Sequence, residues 1–485
     1  MRQRVALAGL LIFYIALVAL ANHRHLWHDE LYTFYIAQAP SLTDLWKDLN
    51  LDLNPPLIYL AARAVMAALG NTALAVRLPS IVAFFLGSLC LYSLVARRLR
   101  PSYGLLAVLI FWSTPAFDFA TEARPYGLLI GFFGLALLSW QRAIESPRRR
   151  WSTLTLALAV SGMMLSHLLA IVLLSPFLLA EALRSIRLRR LDWPIAVALL
   201  APCSLPFLFL RTIASYQSGN AFPHALQAGP RKMASYYYWT LHSEGWVLLL
   251  AFCAALAVYL VGRRQAATWP KYADFEMAFV AGLLALPIVV NAAMMLSHGA
   301  FFTRYAAPTL FAYPLVLCAL LAAFTQANRN SALVMGALMA LYIPVQYFVN
   351  PFPPRPDFTQ VYPGLPLVAA SGLTFLEMDH EQPPETVDRL HYLTDRAYAL
   401  QYAHATIFEG LPALKQRFPI RGHVEPFRDF VRANRRFLVI GTMDYAEDWL
   451  LRYLFAVHAK LEFAGEFPSQ SKDSQIFLVE MPSQN

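Results

Sequence analysis

The sequence predicts a polytopic α-helical membrane protein of about eleven transmembrane helices, followed by a small C-terminal α/β soluble domain. Three observations carry this. Hydrophobic residues fill 58% of the 485 positions and charged residues only 14%, where a soluble chain carries about a quarter charged. The apolar residues fall in runs of roughly 18–25, the length that crosses about 30 Å of hydrocarbon. Basic residues cluster between the runs, at Arg97, Arg98 and Arg100, at Arg148, Arg149 and Arg150, at Arg184, Arg187, Arg189 and Arg190, and at Arg263 and Arg264. That distribution is a topology signal. The net charge of +9 is spread over it rather than gathered on one soluble face, so no nucleic-acid partner is expected.

The spans are read at 5–21, 76–96, 102–118, 125–143, 152–167, 168–184, 193–212, 246–262, 274–297, 304–325 and 331–349. The first follows Arg2 and Arg4 as a signal peptide would, but no small-residue cleavage site comes after it, so it reads as a retained signal-anchor helix. The run 151–184 is long enough to be one helix; Ser166 and His167 at its middle divide it into two spans. With the N-terminus inside, the clusters near 97–100, 142–150, 184–190, 263–271 and Arg329 face the cytoplasm. The loops 22–75, 119–124, around 167, 213–245 and 298–303 then lie outside. Cys90, Cys203, Cys253 and Cys318 all fall in apolar runs without metal-ligand spacing, which argues against disulfides and zinc.

The first outer loop carries its own helix signals. Ser41 can cap a helix with Asp44 three residues on, and Leu42, Leu45, Trp46 and Leu49 make an amphipathic stripe. Asn54 then reads as a cap, Pro55 as the first helical turn and Gly70 as the stop of a second helix. At 54–70 this segment is short for a span, so both pieces are expected to lie along the outer membrane face. Pro351, Pro353, Pro354 and Pro356 mark the boundary between a membrane domain, 1–350, and an outer soluble domain, 351–485. In the latter, Phe437–Ile440 and Ile476–Val479 read as strands and Asp448–His458 as a helix. No phosphate-cradling glycine loop is present, which argues against a soluble nucleotide-sugar donor.

Three groups carry chemistry. His28, Asp29 and Glu30 follow Trp27 beyond the outer end of the first span. Carboxylates at the edge of hydrocarbon are costly to desolvate, and adjacent acids raise one another's pKa, which suits a general base. A solvated helix end is the bland alternative. Asp118 and Glu122 share the next outer loop with Arg124 and Tyr126. Arg124 can neutralise a phosphate through its planar fork, and Glu122 can pair with it, hold a substrate hydroxyl or bind a metal. A structural salt bridge would use the same residues. Arg304 and Tyr305 enter a late span from outside, where Arg304 is either a phosphate ligand or a snorkelling cation. A weaker set comprises His167, His298, Arg231, Lys232, Tyr236, Tyr237, Tyr238, Trp239 and His242. Its aromatic members are better read as an interfacial belt than as sugar platforms, and His167 as a packed histidine. A sugar on a lipid phosphate has a good leaving group, so these parts suffice for transfer: a carboxylate takes the acceptor's proton and cations hold the departing phosphate.

Trp27-His28-Asp29-Glu30, Asn54-Pro55-Pro56-Leu57-Ile58-Tyr59, Arg77-Leu78-Pro79-Ser80 and Glu122-Ala123-Arg124-Pro125-Tyr126 stand in this order over residues 1–350. Together they resemble the GT-C membrane glycosyltransferases, nearest the bacterial family-39 type that is similar to protein O-mannosyltransferases and lipid A aminoarabinose transferases. The resemblance implies a GT-C fold, a polyprenyl-phosphate-sugar donor, inverting transfer to a lipid, protein or glycan hydroxyl, and chemistry on the outer face of a bacterial inner membrane. It implies Asp29 as the base with Glu30 beside it, and Arg124 and Arg304 on the donor phosphate. His28, Asn54, Asp118, Glu122, Tyr126 and Tyr305 are the candidates for holding substrate. This branch is generally metal-independent, so no cofactor or metal is expected, although oligosaccharyltransferases of the same superfamily use a divalent cation.

Two other classes compete with the enzyme. A transporter or lipid-linked sugar flippase would place charges near the bilayer midplane and show two similar halves. Here the acids crowd the outer rim and no internal repeat is evident. A catalytically dead membrane scaffold is opposed by intact Asp29 and Arg124.

Overall fold

The computed structural model describes residues 2–52, 54–146, 149–211, 227–238, 240, 272–349, 358, 362–406, 410–443, 445, 448–467 and 474–482. They form two compact units. The first comprises Met1–His23, Asn54–Arg211 and Ala228–Asn350; the second comprises Arg24–Leu53, Thr212–Gln227 and Pro351–Asn485. The segment 24–53, expected to belong to the membrane domain, therefore groups with the C-terminal residues. The side-chain bonds that hold it there, described below, come from positions more than 300 residues away, which no local pattern announces.

The first unit is helical. Among the described residues, five of its helical segments are long and apolar enough to cross a membrane: Gln3–Ala21, Ala73–Arg98, Pro125–Glu145, Asp274–Leu296 and Thr303–Thr325. We label the main helices α1 (Arg2–Ala21), α2 (His28–Ala37) and α3 (Leu42–Asp48), the last two belonging to the second unit, then α4 (Leu57–Leu69), α5 (Ala73–Arg98), α6 (Pro101–Ser113), α7 (Pro125–Glu145) and α8 (Arg150–Ser166). Then follow α9 (Ala170–Leu173), α10 (Ser175–Leu188), α11 (Trp193–Leu200), α12 (Asp274–Leu296), α13 (Ala312–Thr325) and α14 (Arg329–Val349). The expected break at His167 is present: its backbone is extended, with φ −148° and ψ 135°, between α8 and α9. The expected span 246–262 lies outside the described residues.

Prolines shift several boundaries. The expected cap at Asn54 is one such case: α4 starts at Leu57, with Pro56 at its cap and no side-chain capping bond. Pro55 forces Asn54, and Pro56 forces Pro55, away from the helical region, so the first helical bond waits for Leu60 N–H to Pro56 O at 3.1 Å. Pro202 and Pro206 likewise turn the second half of the expected span 193–212 into a 3₁₀ segment, Ala201–Leu208. The expected span 102–118 ends as α6 at Ser113 and continues as 3₁₀ turns, Pro115–Ala120.

Helices α5 and α7 touch backbone to backbone. On α7, Gly127, Gly131 and Gly134 face Ser80, Ala83 and Gly87 of α5, and a Cβ at Gly131 would stand 2.4 Å from Ala83 O. Small residues at such spacing let membrane helices approach closely and gain dispersion. Around the seam Phe84 stacks on Phe111, and Phe311 packs tilted against Phe111 and Phe133 in the core.

At the opposite end from the start of α7, ion pairs join six helix termini. Glu145 at the end of α7 bonds Arg97 and Arg98 of α5, each at 2.6 Å, and Arg98 also reaches Glu276 of α12. Glu181 of α10 accepts from Trp140 Nε1 of α7 at 2.6 Å and pairs with Arg184 at 2.8 Å. Asp192, before α11, bonds Arg184 at 3.0 Å and Arg149, before α8, at 2.7 Å. Arg187 pairs with Asp274 of α12. Arg97, Arg98, Arg149, Arg184 and Arg187, read as topology markers, are thus also ties between helices.

The second unit holds a six-stranded sheet, ordered β3-β2-β1-β4-β6-β5. Its strands are β1 (Leu367–Ala369), β2 (Leu390–Thr394), β3 (His423–Pro426), β4 (Arg436–Gly441), β5 (Lys460–Phe467) and β6 (Ser474–Glu480). The first four in this order run parallel, and β6 and β5 add antiparallel. The two strands read from the sequence fall in β4 and β6, and Asp448 caps the expected helix, observed as Trp449–Ala456, by accepting Leu451 N–H at 3.2 Å. Helix α15 (Gly372–Glu381) follows β1 and is capped by Ser371. In α3, Ser41 accepts Asp44 N–H at 3.0 Å as the capping signal predicts. Its stripe is only half covered: Leu45 and Leu49 are buried, while Leu42 and Trp46 are exposed. Asp48 at its end is held by Arg417 at 2.7 Å.

Candidate functional site

The predicted residues fall into two groups, one in each unit. In the second unit, Trp27 is the extended residue before α2, and Glu30 and Leu31 N–H close the first turn onto Trp27 O at 2.9 and 3.1 Å. Glu30 has no exposed surface, and its carboxylate reaches back to Trp27 N–H at 3.3 Å. It is the returning arm of a helix N-cap, where a negative charge is favoured by the helix dipole. His28 is held twice by one carboxylate oxygen: Glu377 Oε1 accepts its backbone N–H at 3.1 Å and faces its ring Nδ1 at 3.2 Å. The other ring nitrogen, Nε2, stands 3.5 Å from Asp29 Oδ1. Side-chain exposure rises along this row, from 1% at Glu377 through 8% at His28 to 18% at Asp29. Of the two adjacent acids, then, Asp29 is the one open to a substrate. His25 and Glu381 make a looser pair nearby, at 3.6 Å.

The second group is set by the start of α7. Arg124 takes the extended backbone of an N-cap, Pro125 fills the first helical position, and Ser80 Oγ donates to Arg124 O at 2.9 Å across the α5–α7 seam. Arg124 is 6% exposed and Tyr126 2%. The Tyr126 ring meets Phe119 at 5.2 Å and His167 at 5.3 Å between centroids. His167 in turn meets Tyr305 at 5.6 Å. Arg304 lies with its guanidinium 4.7 Å from the Phe302 ring centre and 5.9 Å from that of Tyr126. His167 Nδ1 accepts Leu169 N–H at 3.1 Å, which in the neutral ring leaves the proton on Nε2. The Arg304 guanidinium, two tyrosines and a histidine from three chain segments therefore converge, with Arg124 two residues before Tyr126, an arrangement suited to an oxyanion beside an apolar or sugar surface.

The other candidates lie around this group in sequence with less to distinguish them. Asn54 is buried, Glu122 half-buried and Asp118 exposed in its 3₁₀ turn. Of the aromatic set, Tyr236 is buried with its hydroxyl on Ala306 O at 3.3 Å, Tyr237 bonds Leu284 O at 2.5 Å, and Tyr238 is 69% exposed. His298 is a positive-φ residue, Arg231 is exposed and Lys232 half-buried, and Trp239 and His242 lie outside the described residues. Among the described residues no group of three or more His, Cys, Asp or Glu side chains stands ready to hold a metal ion.

Sequence reasoning undervalued His167 and did not name Glu377. The first had a signal, a polar pair interrupting an apolar run. The second has none: Glu377 is one acid on an ordinary amphipathic helix of the C-terminal unit.

Residues 53–209 match the family described as dolichyl-phosphate-mannose-protein mannosyltransferase. The match bears out the resemblance to GT-C membrane glycosyltransferases and spans the segments that carry Asn54, Arg77 and Arg124. Two solved structures of ArnT from Cupriavidus metallidurans also align with the chain. The one bound to undecaprenyl phosphate has 13% identity and a TM-score of 0.41 over 97% of this chain and 98% of that one. The apo form has 13% identity and a TM-score of 0.40 over 98% of each. Likeness at that level transfers no residue roles. No curated protein matches.

Proposed function

We propose that this protein is an inverting glycosyltransferase that moves a sugar from a polyprenyl (undecaprenyl) phosphate to a lipid, protein or glycan hydroxyl on the outer face of the inner membrane. The observation that carries it is the packing of Arg304, Tyr126, His167 and Tyr305 beside the helix start that bears Arg124, with Arg124 inside the segment that matches lipid-phosphate-sugar-dependent transferases. A phosphodiester donor carries one negative charge and the departing phosphate monoester close to two. Cations placed where that charge develops lower the barrier. Asp29, the least buried member of its row, takes the acceptor's proton as the acceptor oxygen bonds the anomeric carbon and the carbon–phosphate-oxygen bond breaks. One such displacement inverts the anomeric centre.

The outer-face reading is supported by the two ends of α7. Its 21 residues span about 31 Å, the thickness of the hydrocarbon core. Arg124 stands at one end and the ionic ties of Glu145 at the other. If the basic end is cytoplasmic, as positive residues favour, Arg124 faces out.

The test uses purified full-length protein, a panel of undecaprenyl-phosphate sugars and a panel of membrane acceptors, with NMR of the product anomer. Wild-type transfer with inversion, lost in Asp29→Asn and Arg124→Ala, is expected. Movement of labelled lipid across vesicles without transfer would instead establish a flippase, and loss of activity with EDTA would overturn metal independence.

A further inference from the structure

Helix α15 of the C-terminal unit reaches into the acidic triplet near the N-terminus. Glu377 is its only side chain bonded to His28 among the described contacts, and it is fully buried. The helix itself is pinned on both sides. Asp379 accepts Gly422 N–H at 2.6 Å and Arg421 N–H at 2.9 Å, while the His380 ring meets Phe34 and Tyr35 of α2 at 5.2 and 6.4 Å. The Trp27 indole stands edge-on to the His28 ring at 4.6 Å, so the imidazole has little freedom to turn.

We infer that Glu377 is a positioning residue for sugar transfer: it fixes the tautomer and rotamer of His28 so that Nε2 faces Asp29. This rests on the reading of Asp29 as the base. A carboxylate opposite Nδ1 keeps the ring proton there and leaves the Nε2 lone pair free, the logic by which a buried acid orients a histidine in hydrolase triads. Here the order is Glu377, His28, Asp29, with 3.2 and 3.5 Å between partners. The acceptor's O–H bond breaks as Asp29 takes the proton. Asp29 then passes it to Nε2, and the imidazolium so formed lies between two carboxylates until it releases the proton to water. Helix α15 thereby contributes to the catalytic apparatus through Glu377.

The experiment is a double-mutant cycle of His28→Asn and Glu377→Gln in full-length protein. It is read in transfer from whichever undecaprenyl-phosphate sugar of the panel the wild type uses, and in thermal unfolding. Each single variant is expected to lower kcat tenfold or more with donor KM within about twofold, and Glu377→Asp to recover part of the loss. The double variant should be no slower than His28→Asn, because Glu377 acts through that ring. Wild-type kcat in Glu377→Gln, or a double-variant loss equal to the product of the single losses, would overturn the inference. Undiminished transfer by Asp29→Asn would overturn the base reading instead; the unfolding cycle would still report whether Glu377 and His28 are coupled.

Discussion

Substituting Gly131 by Ala tests whether the α5–α7 seam sets the arginine site. The added methyl would sit 2.4 Å from Ala83 O, 2.8 Å from Ala83 C and 3.0 Å from Ala83 Cβ. A carbon and a carbonyl oxygen settle at about 3.3 Å or more, so the helices must part by roughly 0.9 Å. None of the three atoms belongs to a flexible side chain, so only the helices themselves can move. Overpacking of this kind costs about 1–3 kcal/mol, and a gap of 0.5–1 Å elsewhere along the seam forfeits a quarter to a half of each contact. At about 2 °C per kcal/mol the melting temperature should fall by roughly 2–6 °C. Arg124 lies seven residues before Gly131 on the same helix and is tied to Ser80 across the seam. A displacement near 1 Å at a positioned charge can cost up to about 100-fold in rate, so kcat/KM should fall by roughly 10–100-fold. Gly336→Ala is the control. A methyl there meets only Leu109 Cδ1 at 3.5 Å, and the helix gains about 0.5–1 kcal/mol from losing a glycine. Wild-type melting and wild-type transfer in Gly131→Ala, with Gly336→Ala at least as stable as wild type and equally active, would refute the claim that this seam positions the site.

Other perturbations separate the roles of neighbouring groups. Asp29→Asn should lower kcat by about 10²–10⁴, the worth of a general base, while Glu30→Ala should act chiefly on melting through the loss of a helix cap, typically about 1 kcal/mol; equal kinetic damage from both would contradict the assignment. Arg124→Ala and Arg304→Ala should each lower kcat by about 10²–10³, and Arg124→Lys should restore little because an ammonium lacks the planar fork; rates within a factor of two of wild type would exclude contact with the phosphate. Arg417→Ala leaves the buried Asp48 carboxylate without its 2.7 Å partner. Burial already pushes Asp48 above the usual carboxylate range, with Arg417 pulling it back. The folded protein of this variant therefore binds the Asp48 proton more tightly than the unfolded chain does, and stability is regained as pH falls toward that raised pKa. Melting curves should show the Arg417→Ala deficit largest near neutral pH and shrinking on acidification; a deficit that grows toward acid would reverse the sign.

Much of the architecture was legible because hydrocarbon length and charge bias are one-dimensional properties. A run of apolar residues between basic clusters needs no knowledge of its neighbours, so α1, α5, α7, α12 and the segment Thr303–Thr325 that ends in α13 could be placed from the sequence within a few residues. The motif around Arg124 was legible for a related reason: an extended residue, then Pro125, then a helix is local chemistry. The failures were tertiary or stereochemical. Two successive prolines delayed α4 past Asn54. The stripe on α3 had the right period, yet only Leu45 and Leu49 found partners. Segment 24–53 sits between two apolar runs in sequence, and nothing in its pattern says that Arg417 and Glu377 hold it.

The acidic triplet shows why local reading can name a site and still misassign its members. From sequence, Asp29 and Glu30 are interchangeable neighbours at a helix start. Helical geometry separates them: Glu30 occupies the third position of the first turn, from which its side chain curls back to Trp27 N–H and is spent on capping. Asp29, one position earlier, points its carboxylate to His28 and keeps solvent access. Histidine then inherits its own constraint from Glu377, so the chemistry of three consecutive residues is settled by a cap at one end and a remote helix at the other. A base needs one carboxylate that is open and one environment that is fixed; here the two requirements are met by different residues.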